Sequence, residues 1–152
     1  MNRAGTAAIR GATARDRAAL LSLLREAGLP TEGVPESLEG FVVAETPDGA
    51  IVGGAAIEGY GDKGLLRSLV VAPSCRGIGL GQTLTEHVIT GAGDRGITDL
   101  YLLTTTAERF FPRFGFRPIT RAVVPPAVQG SAEFQGACPS TAAIMHRALR
   151  GK

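Results

Sequence analysis

Residues 69–82 read L-V-V-A-P-S-C-R-G-I-G-L-G-Q, a buried strand halted at a proline and followed by a glycine-spaced turn that opens a helix. The first amides of a helix have no internal acceptor, and the macrodipole places partial positive charge there, so a phosphate can accept from several N–H groups at once. Gly77, Gly79 and Gly81 carry no Cβ to hold such an anion away, and Arg76 adds a full charge beside them. Two familiar phosphate loops do not fit. A Walker loop needs Lys after its last glycine, where Gln82 stands, and a dinucleotide fingerprint needs a sixth-place glycine, again Gln82.

The rest of the chain surrounds this junction with alternating elements. Apolar spacing predicts a strand over 6–10, a helix over 16–27 closed by Gly28 and Pro30, and a short helix over 31–38. Strands over 41–45 and 50–58 are joined by the turn Pro47-Asp48-Gly49. A nearly continuous apolar strand over 65–71 is broken only by Arg67 and Ser68, and Leu80, Leu84 and Val88 mark the helix that ends near 91–93. A buried strand over 99–104, a short helix over 107–113 and a strand over 116–120 follow; an irregular segment over 121–140 precedes a last strand over 141–149. The expected class is α/β, a mixed sheet with helices on its faces.

Composition narrows the function classes. A chain of 152 residues, 44% hydrophobic and 20% charged, is expected to form one domain over 1–152. Its net charge of +2 is interspersed, with no basic block to track a phosphate backbone, so no nucleic-acid partner is expected. Lys63 and Lys152 are the only lysines, leaving anion binding to guanidinium and backbone N–H. No run approaches the ~18 apolar residues of a membrane span, and residues 1–13 lack the apolar core of a secretory leader, so no membrane partner and a cytoplasmic location are expected. Cys75 and Cys138 form no CxxC, and neither His87 nor His146 has a second ligand at metal spacing, so small buried fillers and structural roles are expected and no metal.

Arg76, Gly77, Ile78, Gly79, Leu80 and Gly81 resemble the coenzyme A loop [QR]-x-x-G-x-[GA] of the GNAT acetyltransferase superfamily. The preceding Leu69-Val70-Val71-Ala72-Pro73 and the later Phe111-Pro112-Arg113-Phe114-Gly115-Phe116 are similar to two further elements of that family, in the same order. The resemblance implies a mostly antiparallel sheet of six to seven strands splayed between strands 4 and 5, with acetyl-CoA as cosubstrate and direct attack by a small primary amine. The main chain of Leu69, Val70 and Val71 would pair with pantetheine, and Val71 N–H would serve the thioester oxygen as a pre-aimed donor. The residues from Arg76 through Gly77, Ile78, Gly79, Leu80 and Gly81 to Gln82 would hold the pyrophosphate, with Thr105, Phe110 and Phe111 as further coenzyme contacts. Many members place a proton-donating Tyr where this chain has Phe111, so the thiol would leave as thiolate or take its proton from water or from Thr104, Thr105 or Thr106.

Within the superfamily, residues 66–73 and 101–106, together with Ala132-Glu133-Phe134 and Cys138-Pro139, look like the arsenic-resistance N-acetyltransferase branch, which is similar to enzymes acetylating phosphinothricin and its arsenical relative. On the acceptor side this implies Arg67, Ser68, Thr104, Glu133 and Phe134. Arg67 has two readings: a guanidinium for the acceptor's acid group, or a structural partner of a carboxylate such as Glu58. Glu133 is either the group that steers or deprotonates the amine or a solvated charge, with Glu39, Glu45 and Glu58 as alternative bases. The aromatic group at 110–116 is core packing first and pantetheine contact second. A non-catalytic acyl-CoA binder and a peptide or protein N-acetyltransferase are the rival functions. Family members are often dimers, but no residue here locates an interface.

Overall fold

The computed structural model describes residues 7–77, 79–105, 107–137 and 141–149, so Ile78, Thr106, Cys138 and Pro139 lie outside the described residues. The elements are β1 (Ala8–Gly11), α1 (Arg17–Glu26), β2 (Phe41–Glu45), β3 (Ile51–Tyr60), β4 (Lys63–Val71), α2 (Leu80–Asp94), β5 (Asp99–Thr104), β6 (Arg117–Ile119), α3 (Pro126–Gln129) and β7 (Ala143–Ala148). They form one seven-stranded sheet in the order β1-β2-β3-β4-β5-β7-β6. β4 and β5 are parallel, and the other described neighbours are antiparallel.

The two long helices lie on opposite faces of the sheet and meet it at two adjacent glycines of β3. Successive strand residues point to opposite sides. A Cβ on Gly53 would lie 3.0 Å from Leu84 of α2, and one on Gly54 would lie 2.7 Å from Leu20 of α1. The bare backbone at this pair therefore lets both helices approach the sheet. α1 buries Leu20, Leu21, Leu23 and Leu24, and α2 buries Leu80, Leu84, Val88 and Ile89.

β4 and β5 diverge after a short common base. Their register pairs are Lys63 with Asp99, Gly64 with Leu100 and Leu65 with Tyr101, although β4 runs on to Val71 and β5 to Thr104. Beyond that base β4 stays with β3 and β5 stays with β7, so the sheet opens into a V. The closed end is held by Asp99. Its Oδ2 accepts from Lys63 Nζ at 2.6 Å and from Thr98 Oγ1 at 2.9 Å, and its Oδ1 lies 2.8 Å from His146 Nε2 on β7.

Three segments depart from the expectations. Residues 31–38 form turns instead of a helix: Gly33 and Leu38 are left-handed, and buried Val34 and Leu38 belong to a loop packed on the core. The short helix expected over 107–113 is a turn followed by one 3-10 turn at Phe111–Phe114, stopped by left-handed Gly115. The segment expected to be irregular holds α3 and a π-type turn over Glu133–Ala137.

Burial alone would raise the Asp99 carboxyl, but the hydrogen bonds from Lys63, His146 and Thr98 together hold it down at about 2. A depressed carboxyl contributes stability above its unfolded pKa and loses it as pH falls through the folded value. Asp99→Asn should therefore cost on the order of 1–2 kcal/mol at pH 7 after allowance for solvent screening. Urea unfolding of the two proteins should show this gap closing between about pH 4 and pH 2.

Candidate active site

The run Leu66-Arg67-Ser68-Leu69-Val70-Val71 cannot place its apolar residues by simple alternation. Leu66 and Leu69 both pack in the cluster beneath α2 although they are three positions apart. A β-bulge reconciles them: Gly54 pairs with Val70 while Ala56 pairs with Arg67, so Ala55 faces two residues of β4. Ser68 takes the extra position with φ +62°, and Leu69 and Val71 return to the α2 face.

The same re-phasing aims the main chain. Ala72 N–H donates to Val52 O of β3 at 2.8 Å, so alternation turns the N–H and C=O of Val71 to the other edge, into the V. Arg76 Nε donates to Val71 O from that side at 3.1 Å.

Two cavities meet along this edge, of about 560 and 650 Å³. Both are lined by Leu69, Val70, Val71, Arg76, Thr105 and Ala107. The first extends to Arg67, Ser68, Thr104, Phe111, Glu133 and the loop Gly28-Leu29-Pro30. The second extends to Gly81, Phe110, Arg109 and Arg113. A Cβ on Gly81 would lie 3.6 Å from Val71 and 3.9 Å from Phe110, at the wall of the second cavity. Gly77 and Gly79 hold φ near +86° and +87°, and Gly79 is the left-handed N-cap of α2.

Arg67 is the buried centre of the first cavity, with its side chain 0% exposed. Nη1 donates to Glu58 Oε2 at 2.9 Å, Nε donates to Ser68 Oγ at 3.0 Å, and Nη2 donates to Pro30 O at 3.4 Å. Glu133 Oε2 lies 3.5 Å from Nε. The other oxygen of Glu58 accepts from Tyr60 OH at 2.7 Å. Burial, then that hydrogen bond, pushes the Tyr60 phenol up to about 12, so it stays a donor at neutral pH.

The family model for the acetyltransferase (GNAT) domain matches residues 37–118, more than half of the chain and the part that contains the bulge, the loop and the aromatic turn. The chain belongs to the GNAT acetyltransferase family. The amino-acid acetyltransferase of Mycobacterium tuberculosis is 34% identical over 87 residues, 55% of this chain and 49% of that protein. That of Pseudomonas putida is 34% identical over 119 residues, 72% of this chain and 27% of that protein. The GNAT chain thus spans about half or less of the length of these curated relatives. Among solved structures, N-acetylglutamate synthase from Neisseria gonorrhoeae, complexed with coenzyme A and N-acetyl-glutamate, superposes with a TM-score of 0.80 at 27% identity, covering 95% of this chain and 35% of that one. A Mycobacterium tuberculosis protein in complex with CoA also gives 0.80, at 26% identity, covering 94% of this chain and 99% of that one.

Most residues singled out from the sequence line the two cavities of this GNAT domain, with several exceptions; of the three loop glycines only Gly81 is in a lining, and Gly77 and Gly79 lie outside both. Leu80 is a core side chain packed under Gly53, and Gln82 is exposed on α2, so either would meet a ligand only through its backbone. Phe134 is buried with Leu65, Tyr101 and Ile144 and lines neither cavity, because Arg121 lies over its ring at 5.1 Å and the π-type turn directs it into the core. Glu133 is 4% exposed and therefore not a solvated charge: the same turn brings it against Arg67. Thr104 Oγ1 accepts from Ala107 N–H at 2.9 Å, which fixes the hydroxyl beside the cavity. Cys75 is a buried filler.

Sequence reasoning did not find the bulge or the wall supplied by residues 28–30. The bulge had a signal in the polar pair that interrupts an apolar strand; the wall had none, since Gly28 and Pro30 read as a helix stop. The left-handed backbone at Ser68 makes a direct test. Ser68→Gly should stay within ~1 kcal/mol of the native protein, relief of strain offsetting the lost hydroxyl. Ser68→Val should lose roughly 2–3 kcal/mol in chemical denaturation, because a β-branched side chain strains at positive φ.

Proposed function

We propose that this GNAT domain is an N-acetyltransferase that moves an acetyl group from acetyl-CoA to the primary amine of an amino-acid-like acceptor. The observation that carries the reading is the meeting of two cavities at a strand edge where Val71 points its N–H inward. One cavity suits a long anionic cosubstrate: Arg76 and Gly81 line it where α2 begins, and a larger side chain at Gly81 would project into it. The other offers buried polar groups to a small acceptor.

Bound acetyl-CoA would supply a thioester, an activated acyl group with a good leaving thiol. Val71 N–H donates to the carbonyl oxygen that gains charge as the amine nitrogen bonds to the carbonyl carbon and the carbon–sulfur bond breaks. Leu69 and Val70 wall the pantetheine arm from the same strand, although the main chain of Val70 is turned to β3, while Arg76 with the amides of Gly77, Gly79, Leu80, Gly81 and Gln82 neutralises the diphosphate. Thr105, Phe110 and Phe111 complete the coenzyme walls. Arg67, Ser68, Thr104 and Glu133 position the acceptor, with the Glu133 carboxylate orienting its amino group. Phe111 has no proton to give, so the thiol departs as thiolate and takes a proton from water, while the acylated nitrogen gives up one proton to water.

Release of free thiol with a panel of amino acids, including phosphinothricin and its arsenical relative as members with a second anion, tests the activity. Turnover with any amine supports it; coenzyme binding without turnover on every amine would instead favour the non-catalytic binder that Phe111 permits. Because attack needs the unprotonated amine, kcat/KM should rise with pH through the titration of the acceptor's amino group. Gly81→Val should raise the KM for acetyl-CoA at least ~10-fold by projecting into the second cavity between Val71 and Phe110, with a smaller effect on the acceptor's KM. An unchanged coenzyme KM in steady-state kinetics would remove the cosubstrate from that cavity.

A further inference from the structure

Among its described lining residues the acceptor cavity contains one buried guanidinium, and that group is already engaged. Arg67 spends at least three of its N–H donors on Glu58, Ser68 and Pro30 O. Glu58 accepts from Tyr60 and Arg67 on separate oxygens and lies behind the guanidinium, outside the lining of the cavity. Glu133, by contrast, lines the cavity, with its carboxylate 3.5 Å from Arg67 Nε. The other cation in the described lining, Arg76, is exposed at the junction with the second cavity, where its Nε donates to Val71 O and the acetyltransferase reading gives its charge to the diphosphate. An acid group entering here therefore meets a guanidinium whose charge Glu58 offsets, with a second carboxylate beside it.

We propose, resting on the acetyltransferase reading, that the Glu58–Arg67–Glu133 cluster selects amines carrying at most one acid group and rejects dicarboxylic and other dianionic acceptors. The donors left on Arg67 can address a single carboxylate, and Glu133 complements the neighbouring amino group. A second anion finds no buried cation among the described lining residues and meets Glu133 instead. Like charges brought together in a desolvated site are strongly disfavoured. Glu58 acts through Arg67 and is a positioning residue.

The test uses pairs of equal shape and different charge: L-glutamate against L-glutamine, and L-aspartate against L-asparagine, within the full amino-acid panel and read by thiol release. Each dicarboxylate should show kcat/KM at least ~10-fold below the best acceptor and below its own amide where that amide turns over. Glu58→Gln keeps the shape and an accepting oxygen but removes the charge behind Arg67. It should raise glutamate relative to the best acceptor by roughly fivefold or more, and Glu133→Gln should shift the ratio the same way. Loss of packing alone lowers all acceptors together and leaves the ratio unmoved, and if one variant fails to fold the other carries the comparison. A native protein that uses glutamate or aspartate as well as its amide overturns the proposal, as does a ratio that neither folded variant moves. Absence of turnover with every amine would strike the acetyltransferase reading itself.

Discussion

The parallel contact between β4 and β5 is short, and the site exists because it is. The parallel ladder covers Lys63 to Leu65 against Asp99 to Tyr101, and beyond it each strand keeps only its antiparallel partner. Lys63, Thr98 and His146 converge on Asp99 at that base and tie three strands at the point where they part. Both cavities then have the edge of β4 in their walls beside the loops, which gives the main-chain groups of that edge a fixed direction.

Much of this was legible in the sequence for a physical reason. β2, β5 and the two long helices follow from local periodicity and terminators, which is why Asp99–Thr104 and Phe41–Glu45 match their expected bounds and Leu80–Asp94 begins at the glycine turn. The anion-loop motif likewise encodes its own geometry, since Gly77 and Gly79 stand where the backbone is left-handed. The missed features depend on tertiary contact. Val34 and Leu38 have helix-compatible spacing, but packing of the 31–38 loop on α1 and the sheet decides their conformation. Phe134 and Glu133 are adjacent residues with opposite destinations, one in the core and one in the cavity, and only the π-type turn separates them.

The Arg67 network shows how the two readings left open by the sequence combine. The guanidinium does pair with Glu58, and it also lines the cavity; its burial is tolerated because carboxylate, hydroxyl and carbonyl acceptors surround it. Removing the carboxylate partner of such a buried charge costs several kcal/mol, on the order of 3–5 for a fully buried pair. Its partners therefore belong to the stability of the sheet as well as to the shape of the acceptor cavity.

The extra residue at Ser68 has one more implication. On either side of it, exchanging one side chain for another alters a single contact, whereas deleting one position would invert everything that follows, sending Val70 toward α2 and Val71 toward α1 and turning the inward amide back onto β3. The length of this strand is thus under a far stricter condition than its spelling: variants here can drift in composition, but a one-residue gain or loss turns the whole inward edge away from the two cavities.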